Sequence, residues 1–351
     1  MVEYLDGGRI QGTSTANLQV GTYAGWKEVG RTTLSSAGDV IDVGSLPNKR
    51  YYMVIRNIIG GDGNMAVYNR LNGDTGSNYA YRQSENGATD SATSSGQNMV
   101  VYDTGGDAND KFDITYISNL AGNEKLSIGH GINRRSAGSG NAPVRGEFTW
   151  KWANTSNAIT TINTLNDTNN QSGNFNTDSE VVVLGYDPTD TNTTDFWEEL
   201  ADVTLGSSAT TLGTSTFTAK KYLWFQTYMK SGNCDYRLTF NGDSGSNYAT
   251  RWSENGGSDS TSTSAAFNYL SPQGASTPRF TNTFMINNAS NEKLGISHVA
   301  LQNTAGAGNV PERDEVVHKW TNTSNQITSL TVAASLNTLS AGTRIKVWGS
   351  N

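Results

Sequence analysis

The chain has 351 residues, of which 16% are charged and 35% hydrophobic, with 38 glycines and 6 prolines. A net charge of −7 without any basic cluster excludes an electrostatic footprint for nucleic acid, and no apolar run is long enough for a membrane-spanning helix. The one cysteine, Cys234, excludes a disulfide framework and a paired-cysteine metal site.

Long Ser/Thr/Asn/Gly stretches between short apolar runs describe strands joined by polar turns, and the 8 Trp, 15 Tyr and 10 Phe supply core material that a disordered chain lacks. Residues 1–25 open as MVEYLDGGRIQG, with no basic segment leading into an apolar one. They are expected to be an arm and not a signal peptide, so that the protein is made in a cytoplasm. Residues 26–187 predict one antiparallel β-sandwich, 188–196 (PTDTNTTDF) a linker, and 197–351 a second sandwich.

The division rests on an internal repeat. NGDTGSNYAYRQSENG at 72–87 matches NGDSGSNYATRWSENG at 241–256 in 13 of 16 positions. AGSGNAPVRGE (137–147) returns as AGAGNVPERDE (305–315), and KWANTSNAIT (151–160) as KWTNTSNQIT (319–328). Matches in one order across the whole unit mean two complete copies. Strands are expected at 50–59, 66–71, 97–103, 111–118 and 180–186, with counterparts in the second copy, giving seven to nine per unit in a jelly-roll-like arrangement. Leu126, Ile128 and His130 share one phase of a strand, as do Leu294, Ile296 and His298, and that phase predicts burial. Asn72-Gly73 and Asn241-Gly242 carry the Asn-Gly signature of a hairpin turn. The fold class is therefore all-β, two tandem antiparallel sandwiches.

Candidate site residues gather on the duplicated loop: Asp74, Asn78, Tyr79, Arg82, Glu85 and Asp90 in the first copy. Asp243, Asn247, Tyr248, Arg251, Trp252, Glu254 and Asp259 form the second set. Oxygen ligands on a Gly-rich loop could hold Ca²⁺, although the spacing matches no known calcium loop, and no other cofactor is expected. The aromatic rings beside Asn and Asp could instead form a glycan platform. The plainer reading is a turn closed by Asx hydrogen bonds, with Arg82 and Glu85 (Arg251 and Glu254) pairing across neighbouring strands. His130 and His298 predict core histidines bonded to backbone carbonyls, and His318 has no counterpart. Carboxylate pairs such as Glu198-Glu199 and Asp314-Glu315 predict solvated faces, since adjacent strand residues point to opposite sides. No catalytic motif is present.

Trp26-Lys27-Glu28 and Trp197-Glu198-Glu199 near the unit starts, Lys49-Arg50-Tyr51 and Lys220-Lys221-Tyr222 opening a strand, and FNGDSGSNYATRWSENGGSDSTSTS (240–264) together resemble a module of structural proteins of tailed bacteriophages and related archaeal or marine viruses. The opening EYLDGGRIQG resembles the start of such proteins. The resemblance implies a non-enzymatic virion component, a capsid, decoration or tail/fibre subunit that contacts itself and other virion proteins, with the arm ordered against a neighbour. Two other expectations stand beside it: a glycan-binding adhesin, and a polysaccharide hydrolase or lyase needing two carboxylates across a cleft.

Overall fold

The structure, a computed structural model, describes residues 25–61, 63–166, 172–190, 195–230, 234–275 and 277–351. The expected arm lies outside them except for Gly25, as do residues 191–194 of the linker. Among the described residues there is no helix, and the fold is all-β.

The first repeat supplies β1 (Lys27–Thr33), β2 (Val40–Val43), β3 (Tyr51–Ile58), β4 (Met65–Leu71), β5 (Tyr79–Glu85) and β6 (Ser91–Gly96). It continues with β7 (Met99–Asp107), β8 (Lys111–Ser118), β9 (Lys125–Asn133), β10 (Val144–Trp152), β11 (Ile162–Asn166) and β12 (Glu180–Tyr186). The second repeat runs β13 (Glu198–Thr204), β14 (Thr211–Gly213), β15 (Tyr222–Met229), β16 (Cys234–Phe240), β17 (Tyr248–Glu254) and β18 (Ser260–Ala265). It ends with β19 (Asn268–Ala275), β20 (Arg279–Ile286), β21 (Lys293–Leu301), β22 (Glu312–Trp320), β23 (Leu330–Ala334) and β24 (Arg344–Ser350). Among the described residues each repeat thus has twelve strands, more than the seven to nine expected. The surplus includes the polar edge strand SATSSG (β6), which carries no apolar alternation, and short strands such as VIDV (β2) and INTLN (β11), whose alternation spans only four or five residues.

Each repeat pairs an eight-stranded sheet with a four-stranded one, all antiparallel, in identical order. In the first the orders are β1-β12-β3-β8-β9-β10-β5-β6 and β2-β11-β4-β7. Val54, Val181, Val67, Phe148, Trp150 and Trp152 belong to the core of the first repeat. In the second, Phe225, Ile345, Tyr236 and Trp320 fill the corresponding core, while Val316 packs in a separate small cluster and His318 stands in place of Trp150. Where β9 crosses β10, Gly129 leaves room for the Phe148 ring, because a Cβ there would lie 2.0 Å from it.

The Asn-Gly turns need one correction. Asn72 and Gly73 do adopt positive φ (55° and 65°), as do Asn241 and Gly242. They do not close a hairpin, however: β4 lies in the small sheet and β5 in the large one, so the turn is a corner between sheets. Asn72 fixes that corner by accepting from Thr160 N at 2.8 Å and donating to Ala158 O at 2.8 Å. The Asn-Gly pair that does close a hairpin is Asn86-Gly87, between β5 and β6, again with both φ positive.

Candidate functional site

The duplicated loop is a structural lock. Asp74 Oδ1 accepts from Gly76 N at 2.8 Å, while Oδ2 accepts from Asn78 Nδ2 at 2.9 Å and from Trp152 Nε1 at 2.7 Å. Asp243 repeats the pattern with Gly245, Asn247 and Trp320. Burial alone would raise both carboxyls, but these donors outweigh it and hold them below their usual range. Both oxygens face N–H groups, an arrangement that repels a cation. Among the described residues no cluster of His, Cys, Asp or Glu is set to hold a metal ion. The Asx-turn reading describes this loop.

Tyr79 and Tyr248 are buried, stacked on Trp152 and Trp320 at 6.4 Å, and their hydroxyls bond backbone at Leu71 and Asp243. Neither ring can offer a face to a sugar, which corrects the aromatic platform proposed for this loop. Trp252 is half-buried, donating to Glu254 at 3.0 Å and packing on Tyr269. The arginines pair with the aspartates just ahead of the next strand: Arg82 with Asp90 at 3.5 Å, Arg251 with Asp259 at 3.8 Å. Register explains it, since Arg82 lies opposite Ala92, close to the start of β6.

The residues with the densest chemistry lie where the repeats meet. An apolar seam joins Met53, Ile55, Ile114 and Leu184 of the first repeat to Trp197, Phe284, Leu294 and Ile296 of the second. Around it, the 134–145 segment of the first repeat grips the second repeat. Lys319 Nζ donates to Ser136 O at 3.0 Å, Gly138 N to Glu292 at 2.6 Å, and Arg251 Nε to Pro143 O at 2.7 Å. Arg145 reaches across to Asp259 at 2.7 Å, with both side chains buried. On the other flank Glu180 accepts from Tyr222 at 2.5 Å, Lys221 at 3.0 Å and Arg31 at 3.1 Å.

At the centre, His130 Nδ1 and His298 Nε2 are 2.5 Å apart, so the pair shares one proton at most. This corrects the expectation of two separate core histidines bonded to carbonyls. The sequence signal was that both copies hold His at the same position, and the packing of the repeats brings the two equivalents together. Desolvation first, then His298 and Arg145, lowers the His130 pKa well below its usual value, and His298 is pushed down to about 4. Glu147 stands 3.6 Å from His130 and is paired with Arg145, while Glu315 is paired with Arg313. Burial, then repulsion from Glu147, raises the Glu315 carboxyl. Both glutamates and both histidines line one pocket of about 270 Å³.

His318 is buried in the second sandwich, sharing a hydrogen bond with Ser297 at 2.7 Å. Asp314, adjacent to Glu315 but on the opposite face, accepts from Ser271, and burial raises it to about 7. It is therefore a buried group, not the solvated one the sequence suggested.

No family of known proteins matches the chain, and no curated protein does. Among solved structures, domains LG4-5 of the mouse laminin alpha1 chain align at 8% identity over 92% of this chain and 89% of theirs, with a TM-score of 0.19. YhhW from Escherichia coli aligns at 6% identity over 94% and 85%, with a TM-score of 0.15. Neisserial surface protein A aligns at 7% identity over 82% and 97%, with a TM-score of 0.12.

Proposed function

We propose that this chain is a non-enzymatic structural protein of a virus particle, a capsid, decoration or tail/fibre subunit that acts by self-assembly and by contacts with other virion proteins. One observation carries the reading: the residues repeated in both copies lock turns or seat one copy against the other. Asp74 and Asp243 hold sheet corners, and Lys319, Glu292 and Arg251 hold the neighbouring repeat. Such residues specify fixed geometry, which is what a shell or fibre subunit needs. The resemblance of both repeats to viral structural modules supports the same reading. Mass spectrometry of purified particles from a culture carrying the gene tests it: the chain should be present in stoichiometric amount, and its absence from particles would sink the proposal.

A second reading has one observation in its favour. Glu147 and Glu315 line the same pocket, and the raised Glu315 has the character of a general acid, as a polysaccharide hydrolase or lyase would need. Incubation with a panel of polysaccharides should then release new chain ends, and Glu315→Gln should abolish the release. If wild-type protein cleaves none of them, this reading falls.

A further inference from the structure

The face of the second repeat that packs on the first has a counterpart in the first repeat, and there it is open. Leu294 and Ile296 are 1% and 2% exposed beneath the neighbouring repeat, whereas their equivalents Leu126 and Ile128 are 56% and 62% exposed. Trp26, Tyr51 and Tyr116 stand where Trp197, Tyr222 and Phe284 stand in the second repeat, and they line an open apolar groove of about 480 Å³. The flanking charges are duplicated as well. Lys319 and Glu292 have side-chain exposures of 0% and 5%, but their counterparts Lys151 and Glu124, paired at 2.9 Å, have 47% and 40%. Arg82 and Asp90 likewise lie open where Arg251 and Asp259 are covered.

The element that does the covering is also duplicated and also idle. The 134–145 segment of the first repeat corresponds to 302–313 of the second. Both carry a left-handed residue at the same place (Arg135 and Asn303) and a positive-φ glycine three residues on (Gly138 and Gly306). Asn141 and Asn309 close the two loops with the same 2.9 Å bond to Ala137 O and Ala305 O. In the second repeat Val310 is exposed, as is most of the Arg313 side chain, and Phe280 stands half-open where Phe112 is buried at the seam. Most polar contacts that this loop makes in the first joint use its main-chain atoms (Arg134 O, Ser136 O, Gly138 N, Ser139 O and Pro143 O), so they survive the side-chain changes between copies.

We infer that the second repeat of one chain docks, through 302–313 and Phe280, onto the Leu126/Ile128 face of the first repeat of another copy, reproducing between chains the joint that already exists within each chain. Such a contact is heterologous: every chain presents one unused socket and one unused plug, so chains join head to tail into a ring or an open filament. An exposed apolar strip flanked by ordered ion pairs is the surface expected of such a socket. The joint between chains is weaker than the internal one. Ala307 replaces Ser139, whose hydroxyl bonds Ser246 O, and Arg344 stands where Glu180 gathers Thr33, Arg31, Lys221 and Tyr222. Association is therefore concentration-dependent.

The inference rests on the assembly reading and names its partner. Sedimentation velocity of the full chain over about 1–200 µM tests it, a range in which micromolar joints reveal themselves. Wild type should pass from single chains to larger species. A socket variant (Leu126→Asp with Ile128→Asp) and a plug variant (Phe280→Asp with Arg313→Glu) should each remain single chains with an unchanged strand spectrum. Mixed together they should form a complex of two chains, because each keeps the half the other lacks. Should the plug variant lose its fold, Arg313→Asp combined with Asp90→Arg restores the charge pair between chains and should recover association that Arg313→Asp alone removes. Wild type that stays a single chain throughout, variants that still associate, or a mixture that stays monomeric would each overturn the inference. A monomer that binds glycans through the groove, and loses them with Leu126→Asp, would overturn it in favour of an adhesin. Particles containing a monomeric chain would leave the virion reading standing, and association without particle incorporation would remove that reading alone.

Discussion

Leu126 and Leu294 are the same residue in two copies of one strand, and their environments differ as much as two leucines can. Truncating Leu294 empties a packed seam, so Leu294→Ala should cost about 2–5 kcal/mol of stability, whereas Leu126→Ala in dilute protein should change it by no more than about 0.5 kcal/mol. Urea unfolding of the two variants checks this; equal costs would mean that the seam is not formed in solution. Asp74 makes a second residue-scale case. Asp74→Ala leaves the buried Trp152 Nε1 without its acceptor and should cost about 1–3 kcal/mol, and Asp243→Ala should do the same in the other repeat. A loss well below that in both, measured by the same unfolding titration, would show that the lock is not what holds the corner.

At the scale of elements, the sequence disclosed what local chemistry determines. Asn-Gly pairs fixed positive φ at 72–73 and 241–242, and alternation revealed β9 and β21, because turn sterics and side-chain period act within a few residues. It did not disclose which Asn-Gly closes a hairpin and which turns a corner, since strand pairing is decided by partners far along the chain. Nor did it distinguish a phase that faces the strand's own core from one that faces another repeat. Of the three residues whose phase predicts burial, His130 is covered by the other repeat, whereas Leu126 and Ile128 stand exposed in the single chain. The candidate site followed the same division: the Asp74 turn was readable, while the His130–His298 contact needs the packing of two sandwiches. The β5–β6 hairpin shows both levels at once. At Gly87 φ is +71°, so any side chain is strained, and an added Cβ would also lie 2.7 Å from Asp259 Oδ1 in the other repeat. Gly73 is equally left-handed but open. Gly73→Ala should therefore cost about 1–2 kcal/mol, and Gly87→Ala measurably more, with the excess reduced by Asp259→Ala, which removes the nearest atom but leaves the backbone of 257–259 in place. Equal costs at the two glycines would show that the hairpin tip does not press on the second repeat.

For the whole molecule, the junction makes stability depend on pH. His130 and His298 both have folded-state pKa values below the ordinary histidine range, His298 at about 4, from burial first and then from the neighbouring positive charges. The unfolded chain then takes up protons before the folded one does. Stability from the pair is complete above about pH 6.5 and is lost as pH falls towards about 4. The groups facing the pair are Glu147, Glu315, Arg145, Arg313 and, beyond Arg145, Asp259. The arginines neutralise the glutamates, so the carboxylates do not cancel the repulsion of two imidazoliums. Two buried groups in the second sandwich also titrate. His318, lowered to about 3, loses stability over the same acid range, whereas Asp314, raised to about 7, is protonated in the fold and favours it increasingly as pH falls below that value. The variant, not the wild-type profile, therefore isolates the junction. Between about pH 7.5 and about pH 5, His130→Gln with His298→Gln should lose less stability than wild type, because the pair's own acid-labile contribution is then absent while the other titrating groups, Glu315, His318 and Asp314 among them, are common to both proteins. An identical loss in both proteins would show that the histidine pair does not couple the two repeats to acid.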